Sequence, residues 1–333
     1  MQSASAMSEG VRRVLTTLGL IERHDVEFEL DSSPGRVSIV HGTTADVVWC
    51  DASGREFSST LAFATNLDLT PVAGDWVSVR DATIIAVSPR RNVLRRPGRR
   101  RSQVQVLAAN LDVVLVVVAI DRGLNLLMLE RLAVMAFDSA ATPVIVLSKS
   151  DGSEVVDDVR AQVERSVPGV DILTTSSTSG YGIDELTRRL HEGVTAVMLG
   201  ASGAGKTSLL NAIERTSEYT RTVSRGGEGR HATTTRRLYR LSSGGVLLDI
   251  PGIRLLDLNV DRARVGEAFA DIVELTQGCQ FSDCRHNGDL GCNVERAIKE
   301  GRLPARRLQS WRAVVGLSSE TSATVRRTRR KSD

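Results

Sequence analysis

From Arg36 to Val87, apolar and polar positions alternate in five short runs: RVSIV, ADVVW, FSSTL, DWVSV and TIIAV. Alternation with period two, enrichment in β-branched residues and turn formers at Gly42, Gly54 and Gly74–Asp75 predict five strands. Five strands in so short a segment fit a small barrel. The OB-fold is the common solution, and an SH3-like barrel reads the same way.

Past residue 104 the pattern changes. Asp112 to Ile120, DVVLVVVAI, is a continuous apolar run, as in a strand covered on both faces of a parallel sheet. Leu126, Leu129, Leu132 and Val134 follow at roughly helical spacing. Next come PVIVL, a helical stretch near Val155 to Val167, DIL, GIDELTRRLHEG, VTAVML, a glycine loop and KTSLLNAIER. Strand alternating with helix predicts an α/β domain with a mostly parallel sheet. From about Val265 the pattern is helical, interrupted by a cysteine cluster. Residues 1–33 are polar, with one amphipathic stretch from Val11 to Ile21, and read as a weakly ordered extension. The expected organisation is a polar extension (1–33), a β-barrel (34–95), a basic linker (96–104), an α/β domain (105–264), a mostly helical domain (265–318) and a basic tail (319–333).

Composition adds a location and a class of partner. The first twenty residues lack a basic start followed by an unbroken apolar run, so no secretory signal is expected. The longest apolar run, Val113 to Ile120, is far shorter than the roughly 20 residues of a membrane span. A cytoplasmic protein with no membrane partner is expected. Net charge is only +3, yet RRNVLRRPGRRR (Arg90 to Arg101) holds seven arginines and no acid, and RRTRRK covers Arg326 to Lys331. Such runs suit phosphate backbones; they also suit a solvated linker and tail.

The strongest chemical signal is GASGAGKT: Gly200, Ala201, Ser202, Gly203, Ala204, Gly205, Lys206 and Thr207, followed by Ser208. It satisfies the phosphate-binding pattern G-x-x-x-x-G-K-[ST], with a predicted strand before it and a helix after it. The glycines let backbone N–H groups wrap phosphates at a helix N-terminus. Lys206 is placed to reach the β- and γ-phosphates and Thr207 to ligate Mg²⁺. The chain has four lysines against thirty-nine arginines, so a retained lysine marks a place for a compact ammonium or a slim stem.

A second lysine lies in SKSD, Ser148, Lys149, Ser150 and Asp151, directly after PVIVL. This tetrapeptide resembles the guanine-reading N/T-K-x-D motif. Asp151 can accept from N1–H and the exocyclic amine of guanine, donors that adenine lacks, while the Lys149 stem lies along the base. TSSTSGYG (Thr175 to Gly182) resembles the loop behind the guanine carbonyl and offers Ser176 and Ser177. DIPG follows VLL, giving Asp249 as a Mg²⁺-sensing carboxylate and Gly252 as a γ-phosphate sensor. GRHATTT (Gly229 to Thr235) precedes it in a glycine- and arginine-rich stretch suited to a switch. Ordinary GTPases present the phosphate loop first and the guanine motif last. Here the guanine motifs precede the phosphate loop, so the order is that of a circularly permuted GTPase.

Three of the four cysteines fall between Cys279 and Cys292. Cys279, Cys284, His286 and Cys292 supply three thiolates and one imidazole, a closed set for one structural Zn²⁺. Cys50 stands apart at a strand end and reads as a core residue.

Together, QVLAANLDVVLVVVA, GASGAGKTSLLN, GRHxTT and the spacing C-x4-C-x-H-x5-C resemble the ribosome small-subunit-dependent GTPase A family over about residues 34–315. The resemblance implies an N-terminal OB-fold, a permuted GTPase domain and a C-terminal zinc domain. It further implies action on the small ribosomal subunit and its rRNA, and a monomer is expected. GTP hydrolysis to GDP would be stimulated by the subunit and coupled to release late in maturation. It implies a catalytic role for His231, and Ile253, where many GTPases carry a water-orienting glutamine, agrees with that. Two departures are visible: Ser148 replaces the usual asparagine, and Ala232 replaces the first of three threonines, leaving Thr233 or Thr234 to sense Mg²⁺. Competing readings are a permuted GTPase of large-subunit assembly, a zinc-containing RNA-binding module with a non-catalytic nucleotide site, and an ATP-dependent kinase. Asp151 speaks against the last.

Overall fold

The computed structural model describes residues 1–21, 26–97, 104–121, 123–151, 156–215, 237–249, 266, 269–305, 307–308 and 311–312. The N-terminal segment is the first departure from expectation. Strand β1 (Gln2–Ser3) pairs antiparallel with β2 (Glu27–Phe28), and helix α1 (Glu9–Thr17) lies between them in sequence. Ser8 caps α1 by accepting from the Val11 N–H. Val11, Leu15 and Leu18 recur at helical spacing and bury against Phe28, Cys50 and Trp76. An amphipathic stretch this short is marginal alone, and the outside of the barrel supplies the apolar partner that stabilises it.

The barrel consists of β3 (Ser33–His41), β4 (Thr44–Cys50), β5 (Glu56–Phe63), β6 (Trp76–Arg80) and β7 (Thr83–Val87), matching the five predicted runs. It closes in the order β3-β4-β5-β7-β6, with β6 returning to β3 and β5 parallel to β7. That Greek-key order is OB-type and excludes an SH3-like meander. Val37, Ala45, Val47, Leu61, Val77, Val79 and Ile84 fill the interior. Cys50 is buried between barrel and α1, where burial pushes its thiol up to about 11 and leaves it unreactive.

Part of the arginine-rich stretch is strand. β8 (Val93–Pro97) pairs antiparallel with β9 (Val104–Ala109). Arg90 pairs with the fully buried Asp75 at 2.8 Å, Arg91 with Asp112 at 2.8 Å and Arg95 with Asp138 at 2.8 Å. Three of the seven arginines expected to be solvated or to face phosphates are thus committed to carboxylates of the fold.

The α/β domain contains β10 (Val113–Ala119), α2 (Leu126–Asp138), β11 (Thr142–Ser148), α3 (Val156–Ser166), β12 (Asp171–Thr174), α4 (Ile183–Arg189), β13 (Thr195–Leu199), α5 (Lys206–Ile213), β14 (Arg237–Arg240) and β15 (Val246–Asp249). Strand order is β12-β11-β10-β13-β15-β14, parallel except for β14. Alternate residues of β10 feed two cores. Val114 and Val116 face the side packed with Leu129 and Leu132 of α2; Leu115 and Val117 face Leu186 of α4 and Leu209 and Leu210 of α5. This is why the run carries no polar position.

Helices α6 (Ala270–Thr276) and α7 (Asn293–Lys299) belong to the C-terminal segment. Phe269, Ile272, Val294, Ala297, Leu303 and Leu308 continue the core on the α2 side of the sheet. Arg307 is fully buried there, paired with Asp271 at 2.9 Å and with buried Glu130 at 3.5 Å, and stacked over Phe269.

Barrel and α/β domain meet at Arg36 of β3, which is 1% exposed. Its guanidinium donates to the carbonyls of Leu18, Gly74 (3.2 Å) and Asn110 (3.2 Å) and to Thr195 Oγ1 (2.8 Å), above the Trp76 ring. Burial lowers its pKa to about 9, opposed by the field of Asp112, so it is still charged at neutral pH. One cation therefore ties α1, the barrel and the start of β13 together. At the sheet edge Arg240 of β14 pairs with Glu56 of β5 at 2.9 Å, covering an otherwise open edge strand.

Candidate nucleotide site and metal centre

All of the nucleotide motifs that are described leave the carboxyl ends of parallel strands, where open α/β sheets bind ligands. SKSD follows β11, the loop 175–182 follows β12, the phosphate loop follows β13, and Asp249 ends β15. The permuted sequence order therefore converges on one rim.

In the phosphate loop, Gly203 and Gly205 have φ of +80° and +87°, the left-handed region that favours glycine. A side chain on Gly200 would meet the Val117 carbonyl at 2.5 Å, so the loop rests on β10. Gly205 caps α5 without a side chain, leaving the first N–H groups of the helix for a ligand. Lys206 Nζ donates to the carbonyls of Gly200 (3.0 Å) and Ala201 (2.9 Å), spanning the loop. Ala204 is buried against β10 and α5, Thr207 is half-buried, and Ser202 and Ser208 are exposed.

Ser148 resolves the first departure. It is fully buried, and its Oγ donates to the Ala204 carbonyl at 2.7 Å, linking the guanine motif to the phosphate loop. A hydroxyl makes here the link between the two loops that the usual, longer asparagine carboxamide would make. Ser148→Ala would strand the Ala204 carbonyl, at about 1–3 kcal/mol. We expect a melting temperature lowered by a few degrees and roughly tenfold weaker GDP binding by titration calorimetry.

Lys149 sits at φ +61° with its Nζ on Asp121 Oδ2 at 3.0 Å, so the stem is stretched beside the loop. Ser150 N–H donates to the Thr175 carbonyl at 3.2 Å, fixing the two guanine loops to each other. Ser176 is buried, its Oγ accepting from Ser179 N–H at 3.0 Å; Ser177 is half-buried. Between these loops and α5 lies a cavity of about 710 Å³. One wall is Lys149, Asp151, Ser177 and Thr178; the other is Gly205, Ser208, Asn211, Ala212 and Arg215. The volume suits a nucleoside, and the pocket joins the guanine motif to the start of α5.

Sequence reading missed Asp121, Thr178, Asn211 and Arg215. Asp121 had a signal, since it directly ends the buried strand run. Ser208 and Asn211 share one face of α5 at i, i+3 spacing, and Arg215 follows just past its C-cap. His231, Thr233, Thr234 and Gly252 lie outside the described residues, as does the side chain of Asp249.

The second centre fits a metal. Ligand atoms of Cys279, Cys284, His286 and Cys292 all lie within 4.8 Å of one another. His286 Nδ1 is 3.5, 3.3 and 3.5 Å from the sulfurs of Cys279, Cys284 and Cys292. Tetrahedral bonds of about 2.0–2.3 Å give N···S edges of about 3.5 Å, so the donors already stand at ligating distances. Backbone N–H groups of Asn293 and Glu295 donate to the sulfurs of Cys279 and Cys292, each at 3.4 Å. Burial holds His286 below the usual imidazole range, which favours the neutral, ligating form. Its ring packs edge-on to Trp311 at 5.5 Å. Asp289 accepts from the N–H groups of Arg285 and Asn287, shaping the intervening loop. Among the described residues no helix is long and apolar enough to cross a membrane.

Residues 87–259 match the family described as RsgA GTPase. A small ribosomal subunit biogenesis GTPase RsgA of Streptomyces coelicolor is 40% identical over 296 residues, 85% of this chain and 79% of the relative. Its namesake in Syntrophotalea carbinolica is 34% identical over 330 residues, 90% and 89% of the two chains. Among solved structures, YjeQ from Thermotoga maritima superposes with a TM-score of 0.62 and 27% identity, over 87% of this chain and 98% of that one. YloQ, described as a circularly permuted GTPase, gives 0.59 at 20% identity over 92% and 98%, a likeness of fold.

Proposed function

We propose, from the premise that the chain belongs to the RsgA GTPase family, that this GTP hydrolase acts in small ribosomal subunit biogenesis. The carrying observation is the convergence of the guanine loops and the phosphate loop on one cavity, fastened by the Ser148–Ala204 hydrogen bond. Relatives named for small-subunit biogenesis favour that partner over the large subunit.

In this reading the base lies between Asp151, the Lys149 stem and α5. Backbone N–H groups of residues 203–207 surround the β-phosphate, and Lys206 turns from the loop carbonyls to the β- and γ-oxygens. Thr207 and Asp249 hold Mg²⁺, with Thr233 or Thr234 completing the set; the ion supplies charge neutralisation on the phosphates when bound. Gly252 reads the γ-phosphate. The Cys279–Cys284–His286–Cys292 set holds one structural Zn²⁺, because four protein ligands leave no open position.

His231 positions the attacking water, since Ile253 offers no polar group for it. His231→Ala should keep nucleotide affinity yet lose roughly 10²-fold or more of the subunit-stimulated rate. Unchanged stimulation would move that role elsewhere. The function itself is tested by GTP turnover with and without purified small subunits. Stimulation by small but not large subunits is expected; equal rates in all three conditions would overturn the assignment.

A further inference from the structure

Helix α5 ends with Glu214 at its C-cap, and Arg215 follows with φ of +50°. That left-handed position after a helix is where glycine is favoured, and a residue with a side chain is strained there. A strained backbone at the rim of a binding cavity points to a use for the side chain it carries. Arg215 lines the cavity together with Lys149 and Asp151. Its side chain is 85% exposed and, among the described residues, its ion pair is with the 87% exposed Asp184 at 3.5 Å, so it can fold over a ligand at little cost. The helix end that carries it is anchored, because the Glu214 carboxylate accepts from the Ser242 N–H at 3.0 Å.

We propose that Arg215 is a nucleotide-positioning residue whose guanidinium stacks on the guanine face opposite the Lys149 stem. The proposal rests on the guanine-nucleotide reading of this cavity. Guanidinium is planar, permanently charged and weakly hydrated, and therefore stacks on flat heterocycles where an ammonium does not. It lies just past the C-terminal end of α5, whose N-terminus carries the phosphate loop, and lines the cavity with the guanine-motif residues Lys149 and Asp151, which puts it on the base side.

Affinities of GDP and GTP for the full-length chain test this, with melting temperature recorded beside them. Arg215→Ala should weaken both nucleotides by the same factor, about 3- to 30-fold. Arg215→Lys should do nearly as badly, because charge alone does not stack. Arg215→Gly should raise the melting temperature by relieving the left-handed strain, yet still weaken binding. Opposite signs in one variant separate a ligand contact from a structural role. Equal affinities in wild type and Arg215→Ala would overturn the proposal. So would full rescue by lysine, or a loss larger for GTP than for GDP, either of which would make it a phosphate contact. A wild-type chain that binds no guanine nucleotide would instead sink the underlying site reading.

Discussion

Cys284→Ser should yield protein that retains no zinc and whose C-terminal segment, from about residue 266, is cleaved rapidly by protease. Structural zinc held by four protein ligands contributes about 10–16 kcal/mol of apparent binding energy near neutral pH. A whole domain is stable by only about 5–15 kcal/mol, so the knuckle cannot persist without its ion. The damage should spread. Phe269, Ile272, Val294 and Leu308 share one core with α2, and Arg307 is the partner of buried Glu130. Loss of the segment uncovers that apolar face and takes the Arg307 guanidinium away from Glu130. The nucleotide cavity lies against the other core, with α5, so GDP affinity should change little. Metal analysis, limited proteolysis and thermal melts check this. Wild-type protein that contains no zinc and melts identically with and without chelator would overturn the structural-zinc assignment.

What the sequence disclosed, and what it hid, follows from the range of the interactions involved. The five barrel runs were legible because one buried face per strand imposes period two, and β10 because two buried faces impose none. Phosphate loop and zinc knuckle were legible because their residues are close in sequence. Features that depend on distant partners were not. Helix α1 looked like a loose extension because its apolar partners, Cys50 and Trp76, lie some forty to sixty residues downstream. Arg90, Arg91 and Arg95 read as part of a run that is solvated or faces phosphates, because Asp75, Asp112 and Asp138 are scattered along the chain. Arg36 carried no sequence signal at all, since three of its four acceptors are backbone carbonyls. The Ser148 departure was visible, but its harmlessness depends on the position of the Ala204 carbonyl, fifty-six residues on.

Asp151→Asn should convert a guanine site into a poor one that prefers xanthine. The carboxylate reaches the cavity from a loop fixed on both sides: Lys149 is held on Asp121, and Ser150 on the Thr175 carbonyl. Asparagine preserves shape and that scaffold while replacing one acceptor oxygen by a donor NH₂. Guanine then meets the amide with its N1–H and amine both donating, one of them against another donor. Hydrogen bonds to a charged acceptor contribute about 1.5–3 kcal/mol each, so losing one and leaving the other on a neutral oxygen costs about 10²- to 10³-fold in GDP affinity. Xanthine carries a carbonyl where guanine has its amine, and the new NH₂ can donate to it. Xanthosine diphosphate should therefore gain while GDP loses, and ADP should stay weak with both proteins. Folding should be unaffected, because Asp151 is exposed in the free chain. Competition titrations with the three diphosphates decide the matter. A variant that keeps wild-type GDP affinity, or a wild type that binds ADP as tightly as GDP, would remove Asp151 from the base-reading role. A general loss for all three nucleotides, with a lowered melting temperature, would mean instead that the loop had collapsed. Asp151→Glu, which keeps the charge but moves it by a methylene, would then show whether position or charge was at fault.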